Sequence, residues 1–222
     1  NNILPGVGKK TATVLKADAP LSKTDFTTGG WSKANWEVLN GIQLGDIEEK
    51  SRFKVIRDNE NFYVGIETDL GADRTITAVG HDGPCWGQDC LELIIDPRGA
   101  REEYFHFIFG PVADSFYEAA FGLIKDPIDP GFNKSDPSWN GKWEYLSTRK
   151  GDKWYGFARI PFASLGVSEP AAGTIWTFNV GRESFKNAKK GSVGPELSLW
   201  SPNLETMSFR DRDSFGELTF SD

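Results

Sequence analysis

Three residues with useful chemistry stand at even intervals in the segment CWGQDCLELIIDPRG: Trp86, Asp89 and Glu92, each three positions from the last. An indole offers a flat apolar face, and a carboxylate accepts hydrogen bonds without donating any when ionised. Side by side, these groups suit a polar ligand that also has an apolar face. They do not form an obvious acid–base pair. Asp89 and Glu92 differ by an odd number and point to opposite faces of a strand, while Glu92 and Asp96 share a face about 13 Å apart, too far for the carboxyl pair of a glycosidase. Asp89 and Asp96 therefore read as the turn flank and surface acid of this strand.

Other chemistries lack their parts. The chain has two histidines, His81 and His106, one in a glycine-rich loop and one in an aromatic run, and neither adjoins a nucleophile elbow. The chain contains no phosphate-binding GxxxxGK[ST] segment. Asp69, Asp73 and Asp82 offer hard oxygen ligands in glycine-rich loops, although no EF-hand spacing occurs. Cys85 and Cys90 are the only cysteines. Their separation permits a small disulfide ring, the form an exported protein would take, with two reduced thiols as the alternative.

The 222-residue chain can bury a core unaided, and its net charge of −7 argues against an electropositive nucleic-acid groove. No run reaches the roughly 18 apolar residues of a spanning helix. The aromatic share is 13 %, with sixteen Phe, eight Trp and five Tyr, a composition favoured in strands.

The elements that would position these residues are short alternating runs such as RFKVIRD, NFYVGIETD, CLELIID, EYFHFIF, WYGFARIPF and IWTFNVGRE, separated by Gly, Pro, Asn and Asp. The expected fold is all-β, an antiparallel β-sandwich of jelly-roll type. Asp58–Asn61 supplies turn formers between the first two runs, which read as a hairpin. A short helical turn is expected at 162–165 after Pro161, and 116–121 is open between helix and strand. The stretch 125–141, with its Asp-Pro turns, reads as a long connection between the halves of the sandwich. Residues 1–24 read as an extension or an added edge strand, and 25–222 as one domain. Trp36, Trp154, Trp176 and Trp200 are expected in the core, whereas Trp86, between Pro84-Cys85 and Gly87, is expected to be partly exposed.

The ordered series GGWSKANW, FKVIRDNENFYVGIETD, CWGQDCLELIIDPRG, EYFHFIFG, the pair of runs ending in ARIPFASLG, TIWTFNVGRE and SFRDRDSFGELTF resembles carbohydrate-binding module family 9 over about residues 25–220. The resemblance implies a non-catalytic, secreted, periplasmic or cell-surface domain. Such a domain would clamp a sugar unit of a poly- or oligosaccharide between two aromatic faces, and in nature could be joined to a catalytic domain. The matching aromatics are Trp86 and Phe209, the latter a smaller ring where the family carries Trp in a Ser-Trp-Arg-Asp segment. Glu92 matches a carboxylate that accepts sugar hydroxyls, His106 stands at a position that stays polar, and Arg210 follows Phe209. Ile108 and Gly110 depart from the family's polar residues on that strand. No cofactor is implied beyond structural Ca²⁺. Related sandwiches hold haem b between Met, His or Lys ligands, which gives Met207 an alternative meaning, and a third reading makes the sandwich a protein-interaction scaffold.

Overall fold

The computed structural model describes residues 9–125, 133–186 and 194–222. They carry fifteen strands in chain order. The first six are β1 Thr11–Lys16, β2 Glu37–Val38, β3 Asn40–Gly41, β4 Ser51–Arg57, β5 Asn61–Asp69 and β6 Gly80–His81. Then come β7 Cys90–Asp96, β8 Tyr104–Phe109, β9 Ser115–Lys125, β10 Asn133–Asp136, β11 Glu144–Lys150 and β12 Lys153–Pro161. The last are β13 Ile175–Ser184, β14 Glu196–Leu199 and β15 Gly216–Phe220.

Hydrogen bonding runs in the order β10-β9-β8-β7-β13-β15-β1-β4-β5-β12-β11, a ladder that curls into two facing layers. Phe53, Phe62 and Val64 of one layer meet Leu93, Phe107, Phe178 and Trp200 of the other in a shared core. Period-two alternation explains the division. Leu91, Leu93 and Ile95 of β7 point into this core, as do Phe107 and Phe109 of β8, so Cys90, Glu92 and Ile94 point the other way, with His106 and Ile108 beside them.

The β4–β5 hairpin forms as the turn residues require: Asp58 Oδ1 accepts the backbone N–H groups of Glu60 and Asn61 at 2.8 and 2.7 Å. The turn after Pro161 is a 3-10 segment, Phe162–Leu165, closed by Gly166 at φ 70°. Trp154, Trp176 and Trp200 are buried in the core. Among the described residues no helix is long and apolar enough to cross a membrane.

Several expectations change in three dimensions. Thr11–Lys16 is not an edge strand: it runs parallel to β15 over its first part and to β4 over its last, joining the two layers. Residues 116–121 are extended, within β9. Of the long connection, 133–136 pairs with β9 as β10, and 126–132 lie outside the described residues. Trp36 packs against the core cluster of Phe26 and Trp31 but is only partly buried; Arg52, 4.0 Å from its ring centroid, and Lys54, at 4.9 Å, lie over its ring. Cys85 and Cys90 are free thiols, both buried; Cys85 Sγ faces Ser115 Oγ at 3.9 Å, and no disulfide ring closes.

Asp89 and Asp96 are both 1 % exposed and are not surface acids. Asp96 accepts the backbone N–H groups of Arg98, Gly99 and Arg101 and the Thr177 hydroxyl, closing the β7–β8 turn. Asp89 accepts from Arg74 at 2.7 Å and Arg182 at 2.8 Å. Strand periodicity assigned these acids to solvent because it carries no information about β13, which brings Thr177 and Arg182 to them.

Candidate functional site

Glu92 lies near the middle of β7, with Gly181 of β13 on one side and Ile108 of β8 on the other. This face points away from the sandwich core, yet Glu92 is only 4 % exposed. Two segments cover its flanks. On one side the 3-10 turn Cys85–Gly87 is tied down by Cys85, which packs with Cys90 and Ile108. On the other, Phe209 packs with Ile94, Tyr104 and Phe121. Phe209 comes in so closely because position 181 is glycine: a Cβ there would stand 2.6 Å from its ring carbons.

Between the flanks lies a groove of about 600 Å³ whose walls include Trp86, Glu92, His106, Phe209 and Arg210. The structure thus brings together all five side chains singled out for ligand contact. They are not equivalent. Trp86 is 44 % exposed and stands edge-on to Tyr117, with ring centroids 5.2 Å apart. Phe209 is 6 % exposed, so most of its area is already committed to the sheet. Arg210 is exposed and holds its guanidinium 5.4 Å from the Phe121 ring centroid. Ile108 lines the groove, while Gly110 lies away from its walls and donates its N–H to Ser115 O.

Two wall residues, Tyr117 and Glu183, escaped sequence reasoning. Tyr117 sits in the run left open between helix and strand. Glu183 is set beside Cys90 by strand register, while its neighbour Arg182 points to the opposite face and is wholly buried. Alternation within IWTFNVGRES could have assigned Glu183 and Gly181 to one face, but not which face was the groove.

The acids of the floor are linked. His106 Nε2 lies 2.6 Å from Glu92 Oε2. Burial opposes ionisation of Glu92, but the hydrogen bond and charge of His106, a hydrogen bond from Glu183 and the field of Arg210 hold its carboxyl below the usual value. An ionised carboxylate only accepts, so Nε2 carries the proton of the His106 contact. Glu183 behaves oppositely: burial, then the charge and hydrogen bond of Glu92, push it up to about 9. At neutral pH the pair keeps one proton on Glu183, and the floor presents a carboxylate and a carboxylic acid together.

That arrangement fixes a pH dependence. Folded Glu183 holds its proton to about 9, whereas the unfolded side chain releases it near the ordinary glutamate value of about 4.3. Between these limits the folded state binds more protons, so its stability falls as pH rises. The contribution is complete below the lower limit and is lost as pH passes the upper one. Urea midpoints measured from pH 5 to pH 9 are expected to fall more steeply for the wild-type chain than for Glu183→Gln, which keeps a donor and cannot titrate. Equal slopes would contradict the shared proton.

The three aspartates assigned to Ca²⁺ do not converge. Asp69 is paired with Lys153 and accepts the Lys50 N–H; Asp82 faces His81 at 3.5 Å; Asp73 lies in the turn beside Gly71. Among the described residues, the one group of three mutually close ligating side chains is Cys90, Glu92 and Glu183. The haem arrangement also lacks its geometry: Met207 is 57 % exposed at the groove, the Nε2 of His106 is held by Glu92, and His81 stacks on Phe116 and pairs with Glu118.

No family model matches the chain, and no curated protein matches it in sequence. Solved structures do match. A Bacteroides uniformis protein assigned to carbohydrate binding superposes with a TM-score of 0.72 at 17 % identity, covering 96 % of this chain and 100 % of the other. A family 9 carbohydrate-binding module from Caldicellulosiruptor kristjanssonii in complex with cellotriose gives 0.68 at 14 % identity, covering 96 % and 94 %. A module of the same family and organism in complex with glucose gives 0.64 at 15 %, covering 96 % of each. The fold is therefore that of family 9 carbohydrate-binding modules.

Proposed function

We propose that this chain is a non-catalytic carbohydrate-binding module that receives a sugar unit of a poly- or oligosaccharide in the groove above Glu92. The observation that carries the reading is the convergence of Trp86, Glu92, His106, Phe209 and Arg210 on one groove, in a fold whose solved examples include complexes with cellotriose and glucose. A pyranose has a C–H face and a rim of hydroxyls. Trp86 offers the exposed ring for the face, the Glu92 carboxylate, held in place by His106 and Glu183, offers an acceptor for the rim, and the exposed Arg210 offers donors.

The magnitudes assign unequal roles to the two aromatics. If the sugar covers about 100 Å² of Trp86 at roughly 25 cal/mol per Å², that ring contributes about 2.5 kcal/mol. Phe209 is mostly covered already and adds less, acting as floor more than as a second plate of a clamp. An association cost of at least roughly 4 kcal/mol must be offset, so hydrogen bonds to charged groups, about 1.5–3 kcal/mol each, decide whether binding occurs. Micromolar to millimolar dissociation constants follow, a range in which a targeting module attached to a polysaccharide-degrading enzyme works. A secreted, periplasmic or cell-surface location accords with such a role.

Affinity electrophoresis and calorimetry with a panel of poly- and oligosaccharides, cello-oligosaccharides included, test the proposal. At least one glycan should bind the wild-type chain, and Glu92→Gln should weaken it roughly 10- to 100-fold, the loss of one charge-assisted bond. A folded wild-type chain that retards on no glycan would overturn the reading, as would undiminished binding by Glu92→Gln.

A further inference from the structure

We infer that the floor of the groove is also a metal site, in which a divalent cation of borderline softness, of the zinc type, is held by the Cys90 thiolate and the carboxylates of Glu92 and Glu183, with a fourth position open to the groove. The ligand atoms of these three side chains all lie within 4.8 Å of one another. Strand geometry explains the grouping. Cys90 and Glu92 are two apart on β7 and share a face, and Glu183 is the register partner of Cys90 on β13. All three come from a paired sheet and not from mobile loops, which preorganises them.

Cys90 points to a ligand on its own account. Its thiol is 0 % exposed, and among the described residues no hydrogen-bond partner engages it, although its Sγ stands beside two carboxyl groups. It packs with Cys85 and Ile108 on one side and has the two carboxyl groups on the other. Cys85, the other thiol of this cluster, faces the Ser115 hydroxyl instead.

The donor set selects the metal class. One sulfur and two oxygens suit Zn²⁺ or Co²⁺ better than Ca²⁺, which takes six to eight oxygens. With bond lengths of about 2.3 Å to sulfur and about 2.0 Å to oxygen, tetrahedral ligand atoms stand roughly 3.3–3.6 Å apart, so the group needs only a contraction of about an ångström. Glu183, the least buried of the three, can supply it by rotation. The second shell is present: His106 Nε2 donates to Glu92 Oε2 at 2.6 Å, the kind of contact that orients a ligating carboxylate. Three protein ligands leave one position facing the groove, where water or a ligand hydroxyl can enter. On binding, the thiol proton and the proton shared by the two carboxyl groups leave to solvent. The inference does not depend on what else the groove binds.

The test is titration of the purified chain with Co²⁺, followed by the near-ultraviolet thiolate-to-cobalt charge-transfer absorption, and with Zn²⁺ by calorimetry. One equivalent of metal and a charge-transfer band are expected. Cys90→Ser should abolish the band, and both Cys90→Ser and Glu183→Gln should weaken Zn²⁺ at least roughly 10-fold, while Cys85→Ser leaves both readouts unchanged. Circular dichroism checks folding; if Cys90→Ser does not fold, Glu183→Gln, at a less buried position, decides the matter alone. Absence of a band or of calorimetric binding by the wild-type chain overturns the site. So does affinity that is unchanged in Glu183→Gln, or a band that depends on Cys85 and survives Cys90→Ser. Glycan binding measured on the same samples separates failure of the metal site from failure of the sugar site.

Discussion

Replacing Arg182 by alanine is expected to lower the free energy of unfolding by about 3–5 kcal/mol, the usual penalty for breaking a buried ion pair from one side. Arg182 is 0 % exposed, with its guanidinium 2.8 Å from Asp89 and 3.4 Å from Glu49 and 5.4 Å from the Trp154 ring centroid. Arg74 also contacts both acids, at 2.7 Å each, so the native cluster balances two cations against two anions. Without Arg182 two anions share one guanidinium in a site from which water is excluded. Against a typical total of about 5–15 kcal/mol, much of the stability goes. Urea unfolding measures it, and a loss below about 1 kcal/mol would show that water or rearrangement relieves the cluster. Arg182→Lys should fall between, since the ammonium keeps the charge but cannot span both acids with a planar fork.

Trp86→Ala is expected to have the opposite profile: sugar affinity falls roughly 10- to 100-fold, the equivalent of about 2.5 kcal/mol of stacking, while the melting temperature moves by less than about 2 °C. Trp86 is 44 % exposed and is anchored through its edge contact with Tyr117, so truncation opens no core cavity. Phe209→Ala provides the contrast, because its ring lies on Gly181 and packs with Ile94 and Phe121; stability and binding should fall together. If Trp86→Ala bound sugars as well as the wild-type chain, the groove would have to recognise its ligand without this ring. If its melting temperature fell as far as that of Phe209→Ala, Trp86 would be a structural anchor and not a binding surface.

Sequence patterns reach some of these residues and not others. Trp86 was legible because its neighbours Pro84 and Gly87 place it in a turn, where a large ring has little to pack on. Glu92 was legible as one member of an alternating strand, and its face followed from period two. The same rule failed for Asp89 and Asp96, whose partners Arg182 and Thr177 lie 93 and 81 positions away on β13. Trp36, expected in the core, packs against a core cluster but stays partly exposed beneath two cations from β4. The five ligand-contact candidates followed from the family resemblance, which set Trp86 and Phe209 about one ligand; the groove that they share with Arg210 is seen only in three dimensions.

What the sequence determined by itself is local. Alternation and turn chemistry act over a few residues, through side-chain sterics and hydrogen bonds that each segment carries with it, and so the strands, the β4–β5 hairpin and the buried Trp154, Trp176 and Trp200 could be read directly. What only the tertiary structure decided is which strands become neighbours: the placement of β1 between β15 and β4, the meeting of Cys90 with Glu183 across β7 and β13, and the landing of Phe209 on Gly181. Non-local pairing is selected by the whole core closing at once. The proton shared by Glu92 and Glu183 exists only because that closure brings two acids, distant in sequence, into one poorly hydrated site.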